Sequence, residues 1–262
     1  MSRVICFAIS LTVALTSMPG IVSAQKQREK AQEVANRALS ELAAWKTKSA
    51  RKYLENQQEK FGSTPEFQTA WALLEIQEGT ADENAMVESG TAGLSKMSRN
   101  KNVDAIASYY YGEVLYQQDK RNQANSAWQA AAASASALVE KDPTDATAQF
   151  YLGAALVRNK RFEEAREALR LAARGGFNEA MVNYQIGLSY LFAESWSEAK
   201  EAFDLGLAVE PRFAPMYFWR AMAEDKLGHK DKMLIDLDQY VKLAPNGPEA
   251  GKARAVLKSA GR

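Results

Sequence analysis

The chain has 262 residues, of which 47% are apolar and 25% are charged, so it can bury a sizeable core in one domain or two short ones. Its 33 Lys and Arg residues nearly balance its 32 Asp and Glu residues. This balance argues against nucleic acid as the main partner, because a phosphate-binding surface normally carries a basic excess. Gly and Pro are sparse, and the abundance of Ala, Glu, Lys, Leu and Gln predicts a helical protein.

The first 24 residues have the layout of a cleavable secretory signal. Arg3 precedes an apolar stretch from Val4 to Leu15, Pro19 and Gly20 are expected to break any helix, and small residues precede Gln25. The apolar stretch is shorter than the about 20 residues that span a bilayer. We therefore expect cleavage before Gln25 rather than a membrane anchor, and no stable membrane insertion afterwards.

The only cysteine, Cys6, lies inside this predicted signal and far from the cleavage point, which argues against a lipid anchor. The predicted mature chain has no thiol and no Asn-x-Ser/Thr acceptor. An exported domain without disulfides is ordinary for a bacterial envelope protein of this size. The predicted address is therefore periplasmic or extracellular, in a bacterium.

The segment 25–104 is predicted to form degenerate helical hairpins. Residues 26–44 and 47–61 have the composition of one helix pair, and residues 65–80 and 82–97 of a second. Their match to the pattern that follows is weak, and it is weakest in the first pair.

From Ala105 onward the chain repeats itself. Units begin at Ala146, Ala180 and Ala214, spaced by 34 residues without an insertion, and a unit at Ala105 carries seven extra residues, about two helical turns. Position 8 of the first three units is glycine, and position 20 of the units at Ala105, Ala146 and Ala180 is alanine. Bulky residues stand at positions 17 and 24 of the units at Ala146 and Ala180, and Pro211 and Pro245 stand at position 32 of the last two units.

This pattern resembles the tetratricopeptide repeat family, whose unit is a 34-residue helix–turn–helix with small residues at positions 8 and 20 and proline at 32. The resemblance implies an all-α, right-handed superhelical solenoid with units at 105–145, 146–179, 180–213 and 214–247. Within a unit, Gly153 is expected to meet Ala165, and Gly187 to meet Ala199. The polar segment 248–262, with Pro248 in its first helical turn, is predicted to cap the last unit.

The resemblance also implies a concave groove lined by the first helix of each unit, mainly at positions 2, 5, 9 and 12. Position 5 is aromatic in every well-aligned unit. The predicted partner-binding residues are Tyr109, Tyr116, Phe150, Met181, Tyr184, Leu188, Phe218 and Met222. Such a surface suits an apolar helix or a peptide with bulky anchors. The Lys, Asn and Arg residues that clamp a peptide carboxylate in one variant of the family are missing here.

The sequence leaves three hypotheses for the function. The first is a non-enzymatic scaffold that binds a protein or peptide partner there, with no cofactor and no metal. The second is a self-associating scaffold, a homo-oligomer, with the groove filled by its own N-terminal helix, residues 26–44. The position-5 rings then contact a peptide, pack between neighbouring units, or are buried by self-association.

The third hypothesis is an enzyme that uses a carboxylate pair. The predicted mature chain has no cysteine and one histidine, His229, in a predicted turn. Glu163, Glu164, Glu198 and Glu201 fall near the starts of second helices, where they favour the helix dipole and solvent. This pattern favours a binding protein over an enzyme.

Overall fold

A computed structural model describes residues 19–79, 84–100 and 104–261, and in these ranges the chain is all-helical. Its helices are α1 Pro19–Ala43, α2 Thr47–Phe61, α3 Pro65–Glu78, α4 Asn84–Met97, α5 Asp104–Gln117, α6 Arg121–Lys141, α7 Ala146–Arg158, α8 Phe162–Arg174, α9 Glu179–Phe192, α10 Trp196–Val209, α11 Ala214–Lys226, α12 Lys230–Leu243 and α13 Ala250–Ser259. Consecutive helices pair as hairpins from α1/α2 to α11/α12, and each hairpin packs on the next. The predicted all-α repeat fold is confirmed.

The predicted signal is described only from Pro19 onward, because residues 1–18 lie outside the described ranges. Pro19 and Gly20 do not break a helix but form the start of α1. Proline is compatible with a first helical position, since the N–H it lacks would have no partner there. The predicted cleavage point before Gln25 falls within α1, ahead of the first buried residue in its described part, Ala31.

The turn inside each of the four units from Ala105 onward passes through the left-handed backbone region at position 15 of the unit. Asp119, Lys160 and Glu194 have φ values of 57°, 61° and 62°, and Gly228 has 83°. A residue in this conformation ends the first helix and lets backbone N–H groups reach its last carbonyls, as Arg161 N does to Leu156 O at 3.0 Å. Only the last unit uses glycine for this purpose, so the shared turn geometry is hidden in the sequence.

Trp45 has φ of 62° between α1 and α2 and marks the same turn in the N-terminal hairpin. Counting back places position 1 of that unit at Ala31, which is 34 residues ahead of Pro65 at the start of α3. Positions 8, 20 and 24 are then Ala38, Ala50 and Leu54, all fully buried. The N-terminal hairpin therefore has the repeat geometry, although its sequence match is weak.

The close helix approach within each unit differs from the expected one. A Cβ built on Gly187 would stand 2.4 Å from Cε1 of Phe203, at position 24, rather than against Ala199 at position 20. At Gly153 the nearest atom is Cγ of Leu169, at 2.6 Å, ahead of the carbonyl oxygen of Ala165 at 3.0 Å. Glycine at position 8 thus makes room for the large side chain at position 24.

The third hairpin and the C-terminus of the array depart from the regular unit. The seven extra residues of the unit at Ala105 lie in α6, which has 21 residues against 13 in α8. At the C-terminus, Pro248 lies in the turn before α13 and not in its first helical turn, because the helix begins at Ala250. The buried residues of α13 are Ala250, Ala253 and Leu257, and the helix packs on α12.

Candidate functional site: a closed concave face

The second half of α1 crosses the N-terminal ends of first helices from later units. Asn36 Nδ2 donates a hydrogen bond to Thr147 Oγ1 at the start of α7, at 3.2 Å. Asn178 Nδ2, at the N-cap of α9, donates to Ser40 Oγ at 2.9 Å. The first unit thus closes on the units three and four hairpins further along the chain.

The closure continues beyond the end of α1. The Ala214 N–H at the start of α11 donates to the Ala44 carbonyl at 3.4 Å. Lys46 Nζ lies 2.5 Å from Glu210 Oε2. Burial raises the pKa of the Glu210 carboxyl, but hydrogen bonds from Lys46 and from the Arg212 backbone outweigh it and hold the pKa below its usual range. These four contacts together form what we call the clasp: Asn36–Thr147, Ser40–Asn178, Ala44–Ala214 and Lys46–Glu210.

A cavity of about 480 Å³ lies behind the clasp, inside the curve of the array. It is lined by first helices α3, α5, α7, α9 and α11, by the end of α1 and by the residues leading into α13. Seven of the eight predicted partner-binding residues line it, namely Tyr109, Tyr116, Phe150, Met181, Tyr184, Phe218 and Met222. Leu188 is fully buried and does not line it.

The predicted groove residues are therefore brought together but are mostly not exposed. Tyr109, Phe150, Met181 and Phe218 are buried, Tyr184 and Met222 are half-buried, and only Tyr116 is exposed, at 44%. In the free chain most of these side chains are thus covered, and their role in binding a partner stays a prediction. Neighbouring rings of the array bury them, and the first hairpin adds Leu42, Ala43 and Trp45 to the wall of the cavity.

The position-5 rings pack mainly inside the units to which they belong. Phe150 stacks on Phe177 with ring centroids 4.2 Å apart. Tyr184 contacts Phe213 at 5.1 Å, and Phe218 contacts Tyr240 at 5.4 Å. Tyr109 also contacts Tyr151 of the next unit, with ring centroids 5.9 Å apart, so the contacts of the free chain display internal packing of these rings.

Polar groups enter the cavity wall among these rings. Gln185 Nε2 donates to the Tyr109 hydroxyl at 2.8 Å and so links α9 to α5 across the intervening unit. Gln185 Oε1 is buried and accepts no hydrogen bond from the described residues. Burial raises the pKa of both Tyr109 and Tyr184 well above the usual value, so both phenols stay neutral.

An ion pair between Glu113 and Arg158 also lines the cavity. Arg158 Nε donates to Glu113 Oε1 at 2.7 Å, and the second pair of atoms completes a bidentate contact. The guanidinium lies 5.3 Å from the ring centroid of Trp128 and 5.6 Å from that of Phe192. Because the two charges neutralise each other, the cavity wall is close to neutral at this point.

The sequence did not single out several cavity residues, among them Gln185, Arg158, Trp219 and Leu42. Gln185 stands at position 6 of its unit, which usually faces a neighbouring helix. Leu42 stands at position 12 of the unit that begins at Ala31, and that register would have indicated it. Only the curvature of the array reveals that α1 and α9 border the same space.

The carboxylates considered for catalysis lie apart from the cavity. Glu163, Glu164, Glu198 and Glu201 are exposed, the first two being paired with Arg166 and Arg161. His229 lies in the turn before α12, and its Nδ1 is 2.6 Å from Oε2 of the buried Glu224. Within the part of the chain that the structure describes, no group of three or more His, Cys, Asp or Glu side chains could hold a metal ion.

Comparison with known proteins agrees with this architecture. Residues 120–179 and 214–246 match models of the tetratricopeptide repeat family. The fold is similar to that of TTC0263, a thermophilic tetratricopeptide protein of Thermus thermophilus, with a TM-score of 0.51 and 18% identity over 74% of this chain and 98% of that one. The search of curated proteins returns no match.

Two further solved structures are similar at lower scores. MamA from Desulfovibrio magneticus RS-1 gives a TM-score of 0.42 and 16% identity over 68% of this chain and 96% of that one. PilF of Pseudomonas aeruginosa gives 0.39 and 17% over 87% and 98%.

Residues 120–179 and 214–246 are therefore tetratricopeptide repeats, and the helical hairpins around them have the same fold. Proteins built from such repeats are generally non-catalytic scaffolds for protein–protein interaction, and neither matching family model belongs to an enzyme. Among the described residues, no helix is both long enough and apolar enough to span a bilayer.

Proposed function

We propose that this protein is a non-catalytic scaffold of the bacterial cell envelope that binds a helix or peptide of a partner protein on its concave face. In the free chain that face is covered by α1. The observation that carries the proposal is the clasp itself: a largely apolar concave surface is held shut by a few polar contacts, of which Ser40–Asn178 is solvent-exposed. A partner helix binds where α1 now lies, against the starts of α7, α9 and α11.

The inward face of α1 is a weak competitor for this position. Ala35, Leu39 and Leu42, at the groove positions 5, 9 and 12 of the first unit, are its buried residues. Replacing a buried alanine by leucine adds three carbons, worth roughly 2 kcal/mol of apolar burial. A partner helix with larger residues therefore gains contacts that α1 does not make, and the cavity behind α1 offers room for them.

The covalent connection of α1 sets the affinity that a partner needs. A short connection gives a segment an effective concentration of about 1 mM. A partner present at about 1 μM must then bind about a thousandfold better than α1, which corresponds to roughly 4 kcal/mol. A leucine in place of Ala35 supplies about half of that amount, and a further large side chain that enters the cavity supplies the rest.

The envelope address rests on the first 24 residues, whose arrangement is typical of a cleaved signal. Cleavage before Gln25 leaves intact the buried residues in the described part of α1, the first of which is Ala31. Intact-mass measurement of the exported chain tests this point. A mature N-terminus at Gln25, or within a residue or two, supports export, whereas retention of residues 1–24 contradicts it.

A reversible lock on the clasp tests partner binding. The backbones of Ala44 and Ala214 approach to 3.4 Å between O and N, so their Cα atoms fall near the range that a disulfide spans. The variant Ala44→Cys/Ala214→Cys, made with Cys6→Ser, is oxidised or reduced and then used to capture proteins from envelope extracts. Ala214→Cys alone with Cys6→Ser is the matched control, since the amount of protein that it captures should be the same with and without reductant.

The proposal predicts that a partner captured by the reduced variant is lost on oxidation and recovered on reduction. Equal capture in both states would show that the concave face is not the binding surface. The self-associating scaffold, with its groove permanently filled by α1, predicts a different outcome. There the chain forms the same oligomer in both redox states and retains no other protein, as sedimentation and mass spectrometry would show.

A further inference from the structure

The cavity behind the clasp has the volume of a small-molecule site, and it has an opening to the surface. Its volume of about 480 Å³ lies within the range of about 300–1,000 Å³ that is typical of ligand pockets. Among its lining residues, Tyr116 is 44% exposed and Phe192 is 36% exposed. They lie at the C-terminal ends of α5 and α9, away from the N-terminal ends that α1 crosses. The cavity is therefore reached from the side that the clasp leaves open.

Most of the wall of this cavity consists of apolar and aromatic side chains. Tyr184, Phe218 and Trp219 present rings from α9 and α11, and Met181 and Met222 supply flexible thioethers between them. Burying aromatic surface against such rings favours a flat, apolar molecule, because offset or edge-on ring contacts add to the area that is buried. Methionine adapts to the outline of whatever occupies the remaining space.

Apart from Glu249 Oε2, which is neutralised by Lys252 Nζ at 2.7 Å, two hydrogen-bond acceptors in the wall have no partner. Gln185 is 3% exposed, its Nε2 is engaged by Tyr109, and its Oε1 accepts nothing. Gln77 Nε2 donates to the Leu42 carbonyl at 3.0 Å, and its Oε1 likewise accepts nothing. A buried acceptor without a donor is costly, so each of these oxygens requires a donor from outside the described chain.

The charged residues of the wall do not require a charged ligand. Glu113 is paired with Arg158, and Lys252 Nζ lies 2.7 Å from Glu249 Oε2. The unmet requirement is thus for donors alone.

We infer that this cavity binds a small apolar molecule that carries an N–H or O–H donor, with the donor directed at Gln185 Oε1 and the apolar body against the rings of α9 and α11. The ligand enters past Tyr116 and Phe192. Its binding does not require a protein partner, and it should occur equally in the chain with the oxidised Ala44→Cys/Ala214→Cys lock.

A matched pair of probes tests the inference on the full chain. N-phenyl-1-naphthylamine has three aromatic rings and one N–H, and its fluorescence increases in apolar surroundings. 1-Phenoxynaphthalene has the same shape with an ether oxygen in place of the N–H, and its affinity is measured by displacement of the amine. We expect saturable binding of one amine per chain, with roughly three- to tenfold higher affinity than the ether, as one hydrogen bond supplies.

The variant Gln185→Leu keeps the size of the side chain and removes the acceptor, so the preference for the amine should disappear. Gln149→Leu is the control, because Gln149 is equally buried but donates to the Pro143 carbonyl and does not line the cavity. If Gln185→Leu fails to fold, Met222→Trp fills the cavity from its half-buried edge and should abolish binding of both probes.

Three results would overturn the inference. The first is the absence of saturable amine binding to wild type, as expected for a cavity that holds only water. The second is equal affinity for amine and ether. The third is a preference that survives in Gln185→Leu, or binding that survives in Met222→Trp.

Discussion

The contact between Gly187 and Phe203 leads to a sharp stability prediction. In Gly187→Ala the new Cβ would stand 2.4 Å from Cε1, 2.6 Å from Cδ1 and 2.8 Å from Cζ of the Phe203 ring. Ordinary contact begins at 3.4 Å, so the overlap is about 1 Å against a rigid ring that is fully buried. The ring cannot turn away without displacing neighbours, and α9 and α10 must therefore separate.

Two opposing effects set the size of the loss. Alanine in a helix interior is favoured over glycine by about 1 kcal/mol. Overpacking of a filled core costs about 1–3 kcal/mol and sometimes more. We expect the strain to win, because three ring atoms are involved, and Gly187→Ala to be destabilised by about 1–2 kcal/mol in urea denaturation.

Gly251→Ala is the matched control, since Gly251 lies in α13 and its Cβ would meet no atom within 4 Å. It should be neutral or stabilising by up to about 1 kcal/mol. In a double-mutant cycle, Phe203→Leu should remove part of the cost of Gly187→Ala, because the two residues are in contact. If Gly187→Ala and Gly251→Ala have the same urea midpoint, the assigned contact is wrong.

Two further predictions concern the cavity wall and the clasp. Phe218→Ala should lower the free energy of unfolding by about 3 kcal/mol, because the ring is buried against Tyr240. Tyr116→Ala should lower it by at most about 1 kcal/mol, because Tyr116 is 44% exposed. Urea denaturation of both variants measures the two losses, and equal losses would contradict the assigned packing. The Glu210 carboxyl has a folded-state pKa below its usual value of 4.5, so its contact with Lys46 stabilises the chain above about pH 4.5 and is lost as the pH falls below it. The difference in unfolding free energy between wild type and Glu210→Gln should then be about 0.2–1 kcal/mol at pH 7 and shrink toward zero in acid. A difference that does not change with pH would show that the Lys46–Glu210 contact does not stabilise the fold.

The sequence by itself determined the repeat architecture. The spacing of 34 residues and the small and bulky residues at positions 8, 20 and 24 follow from how two antiparallel helices pack, a local property that each unit carries in its own sequence. The same register selected Tyr109, Phe150, Tyr184 and Phe218 as members of one surface, and the structure does bring them to one cavity.

The turns and the first unit were harder to recognise because different residues serve the same backbone geometry. Asp119, Lys160 and Glu194 adopt the left-handed conformation that Gly228 adopts in the last unit. Trp45 does so in the first unit, where Ala38 and Ala50 replace the more recognisable pattern of the later copies. A non-glycine residue gives no sequence signal for such a turn when the surrounding helices impose it.

Only the tertiary structure decided that the concave face is closed. The clasp joins residues more than 100 positions apart, such as Asn36 with Thr147 and Ser40 with Asn178. Such contacts depend on the small rotation between neighbouring hairpins added up over the array, and no single unit encodes that sum. The sequence therefore identified which side chains face inward, whereas the accumulated curvature determined that they surround a cavity instead of an open groove.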